Sequence, residues 1–197
     1  MSENPRFGVV IVNYECAPFA LDAALSAFGD GAAKVIIVDN ASRDDSMDFF
    51  KRALANPADQ APAAPDRPAP VAFARLSDLS TAIVGEDDIA RAPAGLVVVA
   101  ARANDGFAAG CNIGLVALHA ARETDHYLLL NPDALVAKGA LEEFAARLAE
   151  PGAGLCGATV LAFDPPFGAQ ACGGAALHGI TLLGDNLGAG AALENAP

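Results

Sequence analysis

Short apolar runs, separated by segments with helical spacing, are the feature that most constrains the fold of this chain. Each run is apolar on both faces, as expected for a strand inside a parallel sheet that helices cover on both sides. Strands that alternate with helices favour a mostly parallel α/β sheet joined by right-handed crossovers. The four clearest runs are Phe7–Val12, Lys34–Val38, Leu96–Val99 and His126–Leu130, and we expect all four to be buried strands.

The segments between these runs predict the helices. We expect helices over residues 18–27 and 139–150, and a loop followed by a helix within residues 106–122. Another helix is expected that Ser42 or Asp44 caps and whose apolar face carries Met47, Phe50 and Leu54. A fifth strand is expected over residues 155–163.

The rest of the chain predicts an insertion and a tail. Residues 56–92 form an exposed insertion, which is rich in Ala, Pro and Asp as far as residue 70. An edge strand and a short helix are expected within residues 71–94. We expect one domain over residues 1–175. Residues 176–197 are then a Gly/Ala-rich tail, or the start of a region that binds the acceptor.

Composition excludes several functional classes. A net charge of −12 argues against a nucleic-acid-binding surface, while an apolar content of 53% supports a sizeable core. No apolar run reaches the roughly 18 residues of a transmembrane helix, and no signal peptide is evident at the N-terminus. The four cysteines form no C-x-x-C pair and are expected to be free thiols in a cytoplasmic protein.

Asn131-Pro132-Asp133 directly follows the apolar run that ends at Leu130. Pro132 lacks a backbone donor, so strand pairing is expected to stop there. Asp133 would then stand on a rigid turn at the carboxyl end of a strand, where open α/β sheets bind ligands. A carboxylate in this position suits a hard divalent cation that bridges to substrate phosphates. The alternative is that Asp133 caps the helix that begins near Gly139.

Two further segments carry candidate binding groups. Asp39-Asn40-Ala41-Ser42 ends the second run, and Asp39 can accept a hydrogen bond from a base N–H or simply cap the next helix, which is the more common role. Asn104 to Gly114 contains glycines at positions 106, 110 and 114. These glycines allow the backbone to approach a ligand, with helix N–H groups directed at an anion, or allow a helix to pack tightly on the sheet.

The order and spacing of four motifs resemble those of the family 2 glycosyltransferases of the GT-A fold, especially the rhamnosyltransferase-like branch. The resemblance covers roughly residues 7–175. It implies a GT-A, Rossmann-like sheet flanked by helices, and an enzyme that takes a UDP- or dTDP-sugar and glycosylates an acceptor hydroxyl in polysaccharide or cell-envelope glycan synthesis. The motifs are Val10-Ile11-Val12-Asn13-Tyr14, Val38-Asp39-Asn40-Ala41-Ser42, Asn104 to Gly114, and Leu130-Asn131-Pro132-Asp133.

The resemblance also implies roles for individual residues. Asp133 becomes the expected ligand of Mg²⁺ or Mn²⁺, since Asn131-Pro132-Asp133 is similar to the family's D-x-D motif with Asn in the first position. The remaining candidates are expected to bind the donor: Asn13 and Asp39 would hold the base with Ser42 nearby, and Asn104 to Asn112 would line the ribose and diphosphate region. They are Asn13, Tyr14, Asp39, Asn40, Ser42, Asn104, Gly106, Phe107, Asn112 and Asn131.

One part of the family pattern is missing from this sequence. Inverting members carry an acidic motif, which supplies the general base, well beyond a segment that Cys172-Gly173-Gly174-Ala175 resembles. Asp185 is the candidate that remains among the later carboxylates. We expect either a truncated chain or a module that binds the nucleotide sugar without efficient transfer.

Other expectations follow from the same resemblance. A sugar nucleotidyltransferase is the third alternative, although residues 13–20 lack the Gly-rich basic loop of that class. The expected acceptor is a glycan or a lipid-linked acceptor. The protein would then act in the cytoplasm, with peripheral association at the inner face of the membrane as one option.

Overall fold

The computed structural model describes residues 5–59, 69–92, 95–163, 168–173, 175–177 and 184–191. By its internal contacts the chain forms two compact units, which are described separately. The first consists of Met1–Ala63 and Val71–Leu141, and the second of Ala64–Pro70 and Glu142–Pro197.

The first unit contains a five-stranded sheet in which every neighbouring pair is parallel. The strand order is β3-β4-β2-β1-β5. The predicted α/β class with a parallel sheet is therefore confirmed, and an edge strand does lie within residues 71–94. The strands are β1 (Phe7–Asn13), β2 (Lys34–Asp39), β3 (Thr81–Gly85), β4 (Leu96–Ala100) and β5 (His126–Leu130).

Helices flank this sheet. They are α1 (Ala17–Gly29), α2 (Ser46–Ala55) and α3 (Phe107–Ala121), with short 3₁₀ helices at Pro57–Asp59, Leu76–Asp78 and Glu86–Arg91. Both α1 and α3 pack on β1 and β2. The β1–α1–β2 and β4–α3–β5 connections run in opposite directions along the sheet, so right-handed crossovers place α1 and α3 on opposite faces.

The core under α3 is built from alternate residues of the central strands. Val10 faces Gly114, and Val12 faces Gly110, so closely that neither glycine has room for a Cβ atom. A Cβ on Gly114 would lie 2.5 Å from Val10 Cγ1. The packing alternative for these two glycines is therefore the one that the structure shows. The cluster consists of Val10, Ile36, Val38, Val97, Val99, Ala117 and Leu118.

β5 is more exposed than its sequence predicts. In the described residues it pairs only with β1, and Tyr127 and Leu129 are 40% and 47% exposed. The expectation of a fully buried strand was wrong because an apolar run does not indicate whether its strand lies in the centre or at the edge of a sheet.

The second unit holds most of α4 (Ala140–Leu148) and two small antiparallel sheets. The pairs are β6 (Thr159–Leu161) with β7 (Ala169–Cys172), and β8 (Ala175–Leu177) with β9 (Gly184–Asn186). The predicted strand over residues 155–163 is corrected to Thr159–Leu161, outside the parallel sheet. Leu155 is 93% exposed, in agreement with its position beside the Gly152 and Gly154 turn.

Some expectations fall partly outside the described residues. Most of the Ala/Pro-rich part of the insertion, residues 60–68, is among them.

Among the helices that are described, none has both the length and the apolarity needed to cross a bilayer.

Candidate functional site

The carboxyl ends of the parallel strands bring the predicted site residues to one edge of the sheet. Asn13, the last residue of β1, lies opposite Asp39, the last residue of β2. Leu130 ends β5 opposite Ile11, so the Asn131-Pro132-Asp133 turn leaves from the same edge. Asn104 follows β4 on this side as well. Ligands of open α/β sheets bind at this edge, and we call it the carboxyl edge.

Asn13, Asp39 and Ser42 form a buried hydrogen-bonded network between β1 and β2. Asn13 Nδ2 donates to Asp39 Oδ1 at 2.7 Å, and Ser42 Oγ donates to the same oxygen at 2.6 Å. The Ser42 backbone N–H donates to Asp39 Oδ2 at 3.2 Å. Asp39 is only 2% exposed, and these donors stabilise a carboxylate that would otherwise be costly to bury.

Neither Asp39 nor Ser42 caps α2. The helix begins at Ser46, and Asp44 Oδ1 accepts the Ser46 N–H at 3.0 Å, so of the two predicted caps only Asp44 contacts the start of the helix. Ser42 Oγ instead accepts hydrogen bonds from Glu15 N at 3.0 Å and Asn13 Nδ2 at 3.2 Å. The hydroxyl therefore ties together the loops that follow β1 and β2.

A second network joins the end of β2 to the loop between β4 and α3. Asn40 Nδ2 donates to Asn104 Oδ1 at 2.8 Å and to the Gly106 carbonyl at 3.3 Å. Asn104 Oδ1 also accepts the Gly106 N–H at 3.1 Å. Gly106 has φ +92°, which favours glycine, and it precedes the first residue of α3. The start of α3 is thus held beside the first network.

Two non-glycine residues in this region have left-handed backbone conformations. Glu15 has φ +58° and Ala41 has φ +54°. Such conformations cost free energy for residues with a Cβ atom and are often found at functional sites. Here the Ala41 N–H donates to the Asp39 carbonyl, and the Glu15 N–H donates to Ser42, so the networks hold both strained residues.

Several predicted residues are exposed around these networks. Tyr14 and Phe107 present aromatic surface beside Asn13 and Gly106, and Asn131 and Asp133 are exposed on the turn after β5. Asn112 is different: it is exposed on α3, on the side of the helix away from Gly110 and Gly114, and no hydrogen bond in the described residues joins it to either network. The candidates accessible to a ligand are therefore at the rim, with Asn13, Asp39 and Asn40 beneath them.

Cys16 is a neighbour of the site that the motifs do not indicate. Its thiol donates to Asn13 Oδ1 at 3.4 Å. Burial is the main factor that raises the pKa of this thiol; a hydrogen bond to the Tyr14 backbone opposes the shift, and the charges of Asp133, Asp44 and Asp39 add to it. Cys16 therefore stands beside the Asn13 network, directly before the start of α1.

In the described ranges no group of at least three His, Cys, Asp or Glu side chains is arranged to hold a metal ion. Asp133 offers one exposed carboxylate, with the amide of Asn131 on the same turn. This donor set fits the usual binding of Mg²⁺, which takes one or two carboxylates and completes its coordination with substrate phosphates and water.

Asp185, the candidate for a catalytic base, lies in β9 opposite Ala176 in the second unit. Its side chain is outside the described part of the chain. Comparisons with protein families, with curated proteins and with solved structures give no match for this chain. The function proposed below therefore depends on the motifs and on the geometry of the carboxyl edge.

Proposed function

We propose that this chain binds a nucleotide-diphosphate sugar at the carboxyl edge and acts as a glycosyltransferase. The observation that carries the proposal is the meeting of Asn13, Asp39, Asn40 and Asn104 in two linked networks, on the edge where Asp133 is exposed. These residues come from motifs distributed over most of the first unit, and their common location is what a single ligand site requires. The expected donors are UDP- and dTDP-sugars.

The networks support a rigid binding surface for the nucleoside. Asp39 accepts three hydrogen bonds and is only 2% exposed, so its carboxylate offers a base N–H very little accessible surface. The exposed rings of Tyr14 and Phe107 provide apolar surface on which a base or sugar can stack. We therefore assign the base contact to the rim, with the buried amides and carboxylate holding the rim in position.

The diphosphate is assigned to the region between the start of α3 and Asp133. No acidic residue lies in the first turn of α3, so its free N–H groups can receive an anion, and a cation would offset the charge of Asp105 just before the helix. Asp133 and Asn131 would hold Mg²⁺ or Mn²⁺ together with the diphosphate, and the cation would neutralise the charge of the departing nucleoside diphosphate. In a protein with a net charge of −12, such a cation also makes an anionic donor acceptable.

Isothermal titration calorimetry with UDP- and dTDP-sugars, with and without Mn²⁺, tests donor binding. We expect binding of at least one donor that is stronger with the metal. Free UDP and dTDP serve as probes of the nucleotide part, and ATP as a probe of an unrelated nucleotide with similar charge. Equal affinity for all three nucleotides would contradict a built site for a nucleotide sugar.

Release of nucleoside diphosphate with a panel of glycan and lipid-linked acceptors tests transfer. Acceptor-dependent release establishes the transferase. Metal-dependent donor binding without release would identify a catalytically silent module that binds nucleotide sugars. Release of diphosphate from a nucleoside triphosphate and a sugar phosphate would indicate a nucleotidyltransferase.

A further inference from the structure

The chain between β5 and α4 is attached to α1 by two side chains that no motif includes. Ser26, which is completely buried, accepts the Val136 N–H through its Oγ at 3.0 Å while its hydroxyl donates to the Ala23 carbonyl at 2.7 Å. Asp30, directly after α1, accepts the Gly139 N–H at 2.5 Å and the Leu141 N–H at 2.8 Å. We call residues 131–141, which include the first two residues of α4, the strap.

The strap connects opposite edges of the sheet. α1 follows β1 and precedes β2, so it begins at the carboxyl edge and ends at the other edge, where Asp30 lies. From Cys16 to Ser26 the helix rises about 15 Å. The strap begins at the carboxyl edge with Asn131 and reaches Asp30 at Gly139, so it lies along α1 in the opposite direction.

Two fixed points of the chain, one on each side of Asp133, restrict the position of this residue. On one side the strap continues from Leu130, which is paired in register with Ile11. On the other side Val136 is bound to Ser26, and the chain from Asp133 to Val136 can span at most about 10 Å. Val136 and Leu141 are both buried, which fixes the strap further.

We propose that Ser26 and Asp30 are positioning residues that set the location of the Asp133 carboxylate through the strap. The inference rests on the proposed function, because it concerns the affinity of that same site for its donor. Asp30 acts from the opposite edge of the sheet, and its carboxylate holds N–H groups at the start of α4 that have no partner within the helix. Loss of the Ser26 bond releases Val136 directly, and loss of the Asp30 bonds releases Gly139 and Leu141 just beyond it. In either case the strap samples arrangements in which Asp133 is displaced, and the apparent affinity falls with the fraction of chains that remain competent.

The variants are Asp30→Asn, which places an amide N–H against backbone donors, and Ser26→Ala, which leaves a buried N–H without its acceptor. Asp125→Asn is the matched control. Asp125 also accepts a backbone N–H, that of Arg6 at 2.8 Å, and lies just before β5, and among the described residues its side-chain hydrogen bonds go to Arg6 rather than to the strap. Far-UV circular dichroism and a thermal melt establish that each variant is folded at the temperature of the binding measurements.

Two measurements are made on each variant. Hydrogen–deuterium exchange reports on the amides of residues 136–141, and calorimetry with Mn²⁺ and the best donor reports on affinity. For Asp30→Asn we expect faster exchange in the strap and an affinity about tenfold lower, which corresponds to a strap that is competent in about a tenth of the molecules. Asp125→Asn is expected to change neither quantity.

A double-mutant cycle with Asp133→Asn separates positioning from general destabilisation. If Asp30 acts through Asp133, then Asp30→Asn has little further effect on affinity once Asp133 is replaced. An equal loss in both backgrounds would overturn the inference. Faster exchange with unchanged affinity, or unchanged exchange in the strap, would overturn it as well. If the wild-type chain binds no nucleotide sugar while the variants still show faster exchange, the proposed function is wrong and the strap is only a structural feature.

Discussion

Replacement of Gly114 by Ala should destabilise the protein, although alanine is the better helix former. In an exposed helix the change would add about 1 kcal/mol to the free energy of unfolding. Here the new Cβ would lie 2.5 Å from Val10 Cγ1 and 2.8 Å from Val10 Cγ2, about 1 Å short of normal contact. Val10 is 1% exposed and is the central residue of β1, so its side chain has little free space into which it can move. Overpacking of this kind costs about 1–3 kcal/mol, so we expect a net loss of about 1 kcal/mol.

Urea unfolding followed by far-UV circular dichroism measures the change, because the chain contains no tryptophan to report by fluorescence. The control is the same substitution in a Val10→Ala background. There the closest atom of residue 10 is its Cβ, at 3.2 Å, so the clash is mostly removed and Gly114→Ala should be close to neutral. A coupling of about 1–2 kcal/mol between the two sites is expected. Stabilisation by Gly114→Ala in the wild-type background would refute the close packing of α3 on β1.

Three other predictions concern the carboxyl edge. Asp133→Ala should weaken metal-dependent donor binding by on the order of a few kcal/mol without loss of the fold. The control is Asp78→Ala, before β3 at the opposite edge of the sheet, which should leave donor affinity unchanged. Equal calorimetric affinity of wild type and Asp133→Ala in Mn²⁺ would contradict the assignment. Ala41→Gly should raise the free energy of unfolding by up to about 1 kcal/mol, because φ at this residue is +54°. The control is Ala146→Gly at an exposed position of α4, which should lower the free energy of unfolding by about as much. A lower free energy of unfolding for both variants would refute the strain at Ala41. The pKa of the Cys16 thiol is raised in the fold, so this thiol keeps its proton at a mildly alkaline pH where the unfolded thiol is ionised. The free energy of unfolding should therefore decline as pH rises through that window, and alkylation of Cys16 by iodoacetamide should be slower in the native chain than in urea. Equal alkylation rates would contradict this prediction.

The sheet was largely predictable because its strands are continuous apolar runs. A run such as Val35–Val38 can be satisfied only when both of its faces are covered, and polar residues after it show where the strand ends. Parallel strands then bring those ends together, which is why Asn13, Asp39 and Asp133 could be assigned to one edge in advance. The relative order of the strands was not predictable, because each run fits any position in the sheet. This explains the unexpected exposure of Tyr127 in the edge strand β5.

The remainder depends on contacts between residues that are far apart in the sequence. Ser26 is an unremarkable small residue in a helix, and its bond to Val136 joins positions separated by 110 residues. Asp30 before Gly31 has the local pattern of a helix end, and nothing near it indicates that it also holds the start of α4. A cap is the common role of a residue such as Ser42, but its hydroxyl instead donates to Asp39 and accepts from Asn13, which is 29 residues away.

The place of β1 between β2 and β5 has a consequence for the synthesis of the chain. Asp125, at the start of β5, is 119 residues from Arg6, with which it forms hydrogen bonds. At the usual rate of translation, β1 and β2 leave the ribosome on the order of ten seconds before β5 does. During that interval the apolar β1 has one edge without a partner, and such an edge can pair with other chains. Long-range parallel pairing is also slow to form, so we expect β1 to be open to incorrect pairing until β5 has been made.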